Sequence, residues 1–167
     1  DSLQSTAVYR TSGRTLVNLA PELEDQVVDG LMNRLEPGRP ELREHVAWTL
    51  VRLGEEHPEL LWDRWPELLA IVREDEDQQV QNSLASTVAA LTIYRTDSDL
   101  ISELIGLMDH RDPFVRRYVC RALADVALAT RHRDVLAALD DARNDMLESI
   151  SLHATDTLQR IATDHPN

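Results

Sequence analysis

Asp112-Pro113-Phe114-Val115-Arg116-Arg117-Tyr118-Val119-Cys120-Arg121-Ala122-Leu123-Ala124-Asp125-Val126-Ala127 is punctuated as a helix start followed by a helical run. Proline suits a helix N-terminus, because it has no backbone N–H to leave unpaired. Val115, Val119, Leu123 and Val126 then recur at i, i+4, i+8 and i+11, one face of an α-helix. Val8 to Leu19, Leu42 to Leu53, Val80 to Leu91 and Ile150 to Ile161 fit the same frame, with anchors Val8, Leu42, Val80, Val115 and Ile150 roughly 35 residues apart. Arg52-Leu53-Gly54-Glu55-Glu56-His57-Pro58-Glu59 and Arg160-Ile161-Ala162-Thr163-Asp164-His165-Pro166-Asn167 align without a gap.

Each of these second, or B, helices follows a shorter apolar stretch of the same period: Val27 to Leu35, Leu60 to Val72, Leu100 to Met108 and Val135 to Leu139. No segment shows the sustained alternation of a half-buried strand. A two-helix unit of this length cannot bury its apolar face alone and must stack on its neighbours. The expected fold is therefore all-α, a right-handed α-α superhelix (α-solenoid) of about 4–5 helical-hairpin repeats. The boundaries expected are a B-type helix over 2–20 and repeats at about 21–57, 58–96, 97–130 and 131–165, forming a single repeat domain. Pro21, Pro37, Pro40, Pro58, Pro113 and Pro166 fall where helices should start or stop, whereas Pro66 is expected inside a helix, as a kink.

One frame position holds only small residues, Gly13, Ala47, Ala85, Cys120 and Thr155, as close helix approach requires. Cys120 is accordingly expected as a buried filler; nearby Arg116, Arg117 and Arg121 supply the alternative of an activated thiol. Trp65 falls in the apolar stripe with Leu61, Leu68, Leu69 and Val72, while Trp62 sits at its margin.

The Asp112-Pro113 loop, followed by Val115-Arg116 and then Ala122-Leu123, resembles the second half of a HEAT repeat. Trp65-Pro66-Glu67-Leu68-Leu69 resembles the first half, whose helix commonly carries a kinking proline. The resemblance spans nearly the whole chain and is strongest in the unit that contains Asp112. The armadillo family, of the same superhelical type, is the close rival, with three helices per unit. In HEAT proteins the frame Arg and the loop Asp form a ladder between repeats; Arg43 and Arg116 keep that Arg, while Gln81 and Ser151 replace it, so the resemblance implies an incomplete ladder. It also implies a curved, non-enzymatic scaffold that binds another protein along the surface lined by its B helices.

The chain of 167 residues has 30 acidic and 17 basic side chains and a formal net charge of -13. That charge opposes a polyphosphate partner, which needs a basic surface and counterion release. All 17 basic residues are Arg and none is Lys. Cytosolic proteins of salt-accumulating microbes carry such acidic, lysine-free surfaces, although a GC-rich genome also favours Arg. A single Cys forms neither an internal disulfide nor a thiolate metal site, and no apolar run reaches membrane-spanning length. A cytoplasmic protein, with no membrane partner, is expected. Asp1 at the start and His165-Pro166-Asn167 at the end are what a fragment of a longer solenoid or a processed chain would show, a natural terminus being the alternative. Uncapped ends would permit self-association by end-to-end stacking.

At about 100° per residue, the frame places Arg14, Trp48, Ser86, Arg121 and Asp156 opposite the buried stripe. Arg10 and Arg117 flank them on one side, Arg52 and Arg160 on the other. The expected partner-binding ridge therefore comprises Arg10, Arg14, Trp48, Arg52, Arg117, Arg121 and Arg160, with Trp48 as apolar anchor and an acidic or mixed-charge protein or peptide as occupant. Pairing of these arginines with local acids, and packing of Trp48 over a neighbouring helix, is the competing reading. No HExxH, Cys cluster, Walker, GxSxG or dinucleotide pattern occurs, so no catalytic residue, metal or cofactor is expected. Asp109-His110-Arg111-Asp112 and Glu74-Asp75-Glu76-Asp77 read as solvated loops, the latter placing acids ahead of the third B helix. Two rival functions remain: a HEAT-like enzyme, of the alkylated-base DNA glycosylase or bilin lyase type, and an oligomeric structural element.

Overall fold

The computed structural model describes residues 12–18, 25–36 and 40–164. The chain divides into two compact units, Asp1–Leu91 and Thr92–Asn167. Every regular element among the described residues is helical, and the chain is an all-α solenoid assembled from helical hairpins.

The first unit contains α1 (residues 12–18), α2 (Asp25–Met32), α3 (Pro40–Glu56), α4 (Pro58–Leu61), α5 (Trp65–Glu74) and most of α6 (Gln78–Tyr94). Proline opens α3 and α4, where its missing N–H costs nothing. In α3 the buried Val46, Ala47, Leu50 and Leu53 form the predicted stripe. Asp77 caps α6 by accepting the backbone N–H groups of Gln79 and Val80 at 2.9 and 3.3 Å. Leu61, Leu68, Leu69 and Val72, and Val80, Leu84 and Val88 of α6, are all excluded from solvent.

Two expectations for this unit need correction. Pro66 does not kink a continuous helix. The chain leaves α4 at Leu61, makes a 3-10 turn over Trp62–Arg64 and starts α5 at Trp65, so Pro66 occupies a first helical turn where no donor is lost. The second concerns which indole goes inside. Trp62 is buried and Trp65 only half-buried, the reverse of the expected order.

The second unit, beyond the shared α6, contains α7 (Ser98–Gly106), α8 (Pro113–Thr130), α9 (Arg133–Ala142) and α10 (Glu148–Thr163). Asp97 caps α7 through the N–H groups of Asp99 and Leu100, and Asp112 caps α8 through that of Phe114 at 2.8 Å. The hairpins α7–α8 and α9–α10 pack through α8, which touches both α9 and α10. Val115, Val119, Leu123, Val135, Leu139 and Ile150 are completely buried between them. α8 ends on Arg131, a non-glycine residue in the left-handed region at φ 52°.

Candidate functional site

Among the described residues, the expected ridge residues lie on the second helices α1 (Arg14), α3 (Trp48 and Arg52), α8 (Arg117 and Arg121) and α10 (Arg160). The approach of α1 to α3 depends on the small frame position. A Cβ built on Gly13 would lie 2.7 Å from Thr49 Oγ1 and 3.4 Å from the Trp48 ring, so α1 meets α3 at a point where only glycine fits. Ala47, Ala85 and Cys120 are buried at the same position, while Thr155 is half-buried. Burial pushes the Cys120 thiol up to about 11, with the Asp145 carboxylate adding to it. The residue is the filler its spacing predicts, and the adjacent arginines do not activate it.

Of the expected ridge residues, Arg10 lies outside the described residues. In the first unit Arg14 and Arg52 come together, lining a shallow cleft of about 230 Å³ with Val17, Asn18 and Glu56. Arg52 donates to Glu55 Oε2 at 2.8 Å and to Glu56 on the following turn, so its charge is already balanced. Trp48 is half-buried, its ring against Gly13. In the second unit Arg117 and Arg121 share a cleft of about 330 Å³ between α8 and α10. Arg117 packs over the rings of Phe114 and Tyr118, with its guanidinium carbon 5.1 and 5.5 Å from their centroids. Arg160 is exposed further along α10. Among the described residues, Arg14, Arg117, Arg121 and Arg160 form no ion pair. The ridge expectation did not include Ser149 and His153, which complete the second cleft from α10. Their i, i+4 spacing, matched to that of Arg117 and Arg121, was the available signal.

The frame arginines behave differently. Arg43 reaches across a repeat to Asp75, and its Nε donates to Leu35 O at 2.7 Å. Arg116 makes a two-pronged bond to Asp145, Nε to Oδ2 at 2.8 Å and Nη2 to Oδ1 at 3.0 Å, while its Nη1 donates to His110 O at 2.8 Å. The hydrogen bond from Arg116 holds the Asp145 carboxyl below its ordinary value, against the opposing effect of burial, and the Leu147 N–H assists. The same pairing raises the Arg116 guanidinium further. Where the frame has Gln81, the neutral amide Nε2 donates to Asp75 O at 2.7 Å, and its own Oε1 is buried without a partner. Asp112 Oδ2 is likewise buried and unpaired. These groups fix loops to helices.

The acidic loops share that task. Asp75 Oδ1 accepts from Asp77 N at 2.9 Å, and His110 Nδ1 accepts from Asp112 N at 3.1 Å. Among the described residues no group of three His, Cys, Asp or Glu could hold a metal ion, and none of the helices is long and apolar enough to cross a membrane.

Paired helices, proline-opened repeats and a partial Arg–Asp ladder define a helical-repeat solenoid. The family model for HEAT repeats matches residues 65–159, more than half of the chain, and the protein belongs to the HEAT-repeat family. A search of curated proteins found no match. HEAT repeats commonly serve as protein-interaction scaffolds.

Proposed function

We propose that the chain is a non-enzymatic, cytoplasmic scaffold that binds a partner protein or peptide on the ridge of its second helices, through Arg10, Arg14, Trp48, Arg52, Arg117, Arg121 and Arg160. The observation that carries this reading is the division of the arginines into two groups. Arg43 and Arg116 are largely buried and committed to Asp75 and Asp145. Arg14, Arg121 and Arg160 are exposed on second helices with no ion pair among the described residues. Arginine and tryptophan are among the side chains from which interface hot spots are built, and the second helices carry both. Arg52 contributes less than its position suggests, because binding an acidic group there must displace Glu55 and Glu56. The repeat boundaries follow the same frame, about 21–57, 58–96, 97–130 and 131–165 after a leading B-type helix.

The test compares capture from native lysate by the wild-type chain and by a variant carrying Trp48→Ala with Arg121→Glu. Loss of a specific captured protein is expected. Identical recovery would remove the ridge as the binding surface.

A further inference from the structure

The cleft between α8 and α10 brings two arginines together with two neutral hydrogen-bonding side chains. Arg117 and Arg121 stand one turn apart on α8, Ser149 and His153 one turn apart on α10, and Cys120 and Ile150 close the floor. Arg43, Arg52, Arg64, Arg116 and Arg143 are each paired with an acid. Arg117 and Arg121 line one cleft without an acidic partner among the described residues, in a chain with 30 acidic side chains to 17 basic ones. Ser149 and His153 also offer hydrogen-bonding side chains that are unused among the described residues. The two aromatic contacts hold Arg117 in place, which reduces the side-chain entropy lost when it binds a ligand. Phe114, which Arg117 covers, is 49% exposed, and Leu152, next to His153 in sequence, is 60% exposed, large apolar groups that face water.

We propose that this cleft receives a side-chain carboxylate of an acidic partner peptide, with an apolar residue of the same peptide seated against Phe114 or Leu152. The assignment rests on the scaffold reading above and identifies which part of the ridge reads charge. Two guanidinium groups match one or two carboxylates, through the fork geometry that arginine presents. A polyphosphate is a poorer occupant. Asp125 lies one turn beyond Arg121 and Asp156 nearly one turn beyond His153, both exposed on the same helices, and they oppose the larger charge of a phosphate group more than the single charge of a carboxylate.

The test is an amide-resolved NMR titration of the full chain with a synthetic peptide of glutamates and leucines, alongside the same peptide with glutamine in place of glutamate. The glutamate peptide should move the amides of Arg117–Arg121 and Ser149–His153 saturably, and the glutamine peptide should leave them in place. Arg117→Glu with Arg121→Glu should weaken binding by at least about tenfold with an unchanged far-UV circular dichroism spectrum, and Arg121→Lys, which keeps the charge and loses the fork, should weaken it by less. Shifts confined to the amides around Trp48 and Arg52 would overturn the cleft assignment and leave the ridge reading standing. No shift anywhere, or equal shifts with both peptides, would overturn the carboxylate site. Tighter binding of a phosphoserine peptide than of the glutamate peptide would overturn it in favour of a phosphoryl ligand. Shifts at the cleft together with unchanged lysate capture by a Trp48→Ala, Arg14→Glu variant, which leaves the cleft intact, would keep the carboxylate site and sink the wider ridge.

Discussion

Replacing Arg116 by Ala should be among the most damaging single changes in the second unit. The side chains of Arg116 and Asp145 are only 16% and 9% exposed. Truncation removes both bonds to Asp145 and the one to His110 O, and leaves a carboxylate largely out of water with the Leu147 N–H as its remaining described donor. Breaking one side of a buried pair in this way costs about 3–5 kcal/mol, a large part of a stability of about 5–15 kcal/mol. Arg52→Ala is the internal control, since Arg52 is 43% exposed and pairs within one helix turn, an arrangement worth about 0.3–0.5 kcal/mol. Urea unfolding followed by circular dichroism at neutral pH should rank the two variants in that order. Arg116→Met combined with Asp145→Leu should recover most of the loss, because no charge is then stranded. The pH dependence has a definite sign. The carboxyl of Asp145 is held below its ordinary value of 3.8, so its contribution is complete above that value and is lost as pH falls through the lowered one. The gap between wild type and Arg116→Ala should therefore narrow in acid. If Arg116→Ala costs no more than Arg52→Ala at neutral pH, the pair is not the tie described here.

Three further outcomes follow from particular contacts. Gly13→Ala should destabilise by about 1–3 kcal/mol despite alanine's better helix propensity, because the new methyl meets Thr49 Oγ1 at 2.7 Å; Thr49→Ala in the same chain should restore most of the loss in thermal unfolding, and no recovery would refute the steric account. Arg131→Gly should stabilise by about 1 kcal/mol, since Arg131 holds the left-handed C-cap of α8 at φ 52° with its Nη1 buried and unpaired; a melting temperature lower than wild type would contradict this. Cys120, with its thiol near 11 and its side chain buried, should resist alkylation by iodoacetamide in the folded chain at pH 8 and react on addition of denaturant; rapid modification under native conditions would show an activated thiol instead.

The helical frame was readable because burial has a strong period. Once the apolar residues repeat at helical spacing, the positions of Arg43, Arg116 and the small-residue seam follow by counting, and so does the Asp-Pro start of α8. The indoles defeated the counting for a local reason. A 3-10 turn advances about 20° more per residue than an α-helix, so the break at Trp62–Arg64 puts α4 and α5 out of one α-helical register, and a single stripe projected through both does not hold. Nothing in Leu61-Trp62-Asp63-Arg64-Trp65-Pro66 marks that turn except Pro66, which suits a first helical turn as well as a kink.

Charge was legible in amount and not in use. The acidic residues ahead of the helices can be counted as solvating, yet Asp75, Asp77, Asp97, Asp112 and Asp145 each accept backbone N–H groups at or near a helix start, and two of them also anchor the frame arginines. A substantial part of the negative charge is therefore structural, spent on donors that every helix N-terminus leaves unpaired. The corollary concerns the arginines. When acids are held by backbone amides at loop positions, fewer are free to neutralise guanidinium groups on the helix faces, and Arg117 and Arg121 keep their positive field although the protein as a whole is acidic. A sum over the sequence hides this separation, because it depends on which side chains point along the loops and which across the seam between α8 and α10. That is why Ser149 and His153 escaped a search confined to the face opposite the core: they lie on its flank, where two second helices meet.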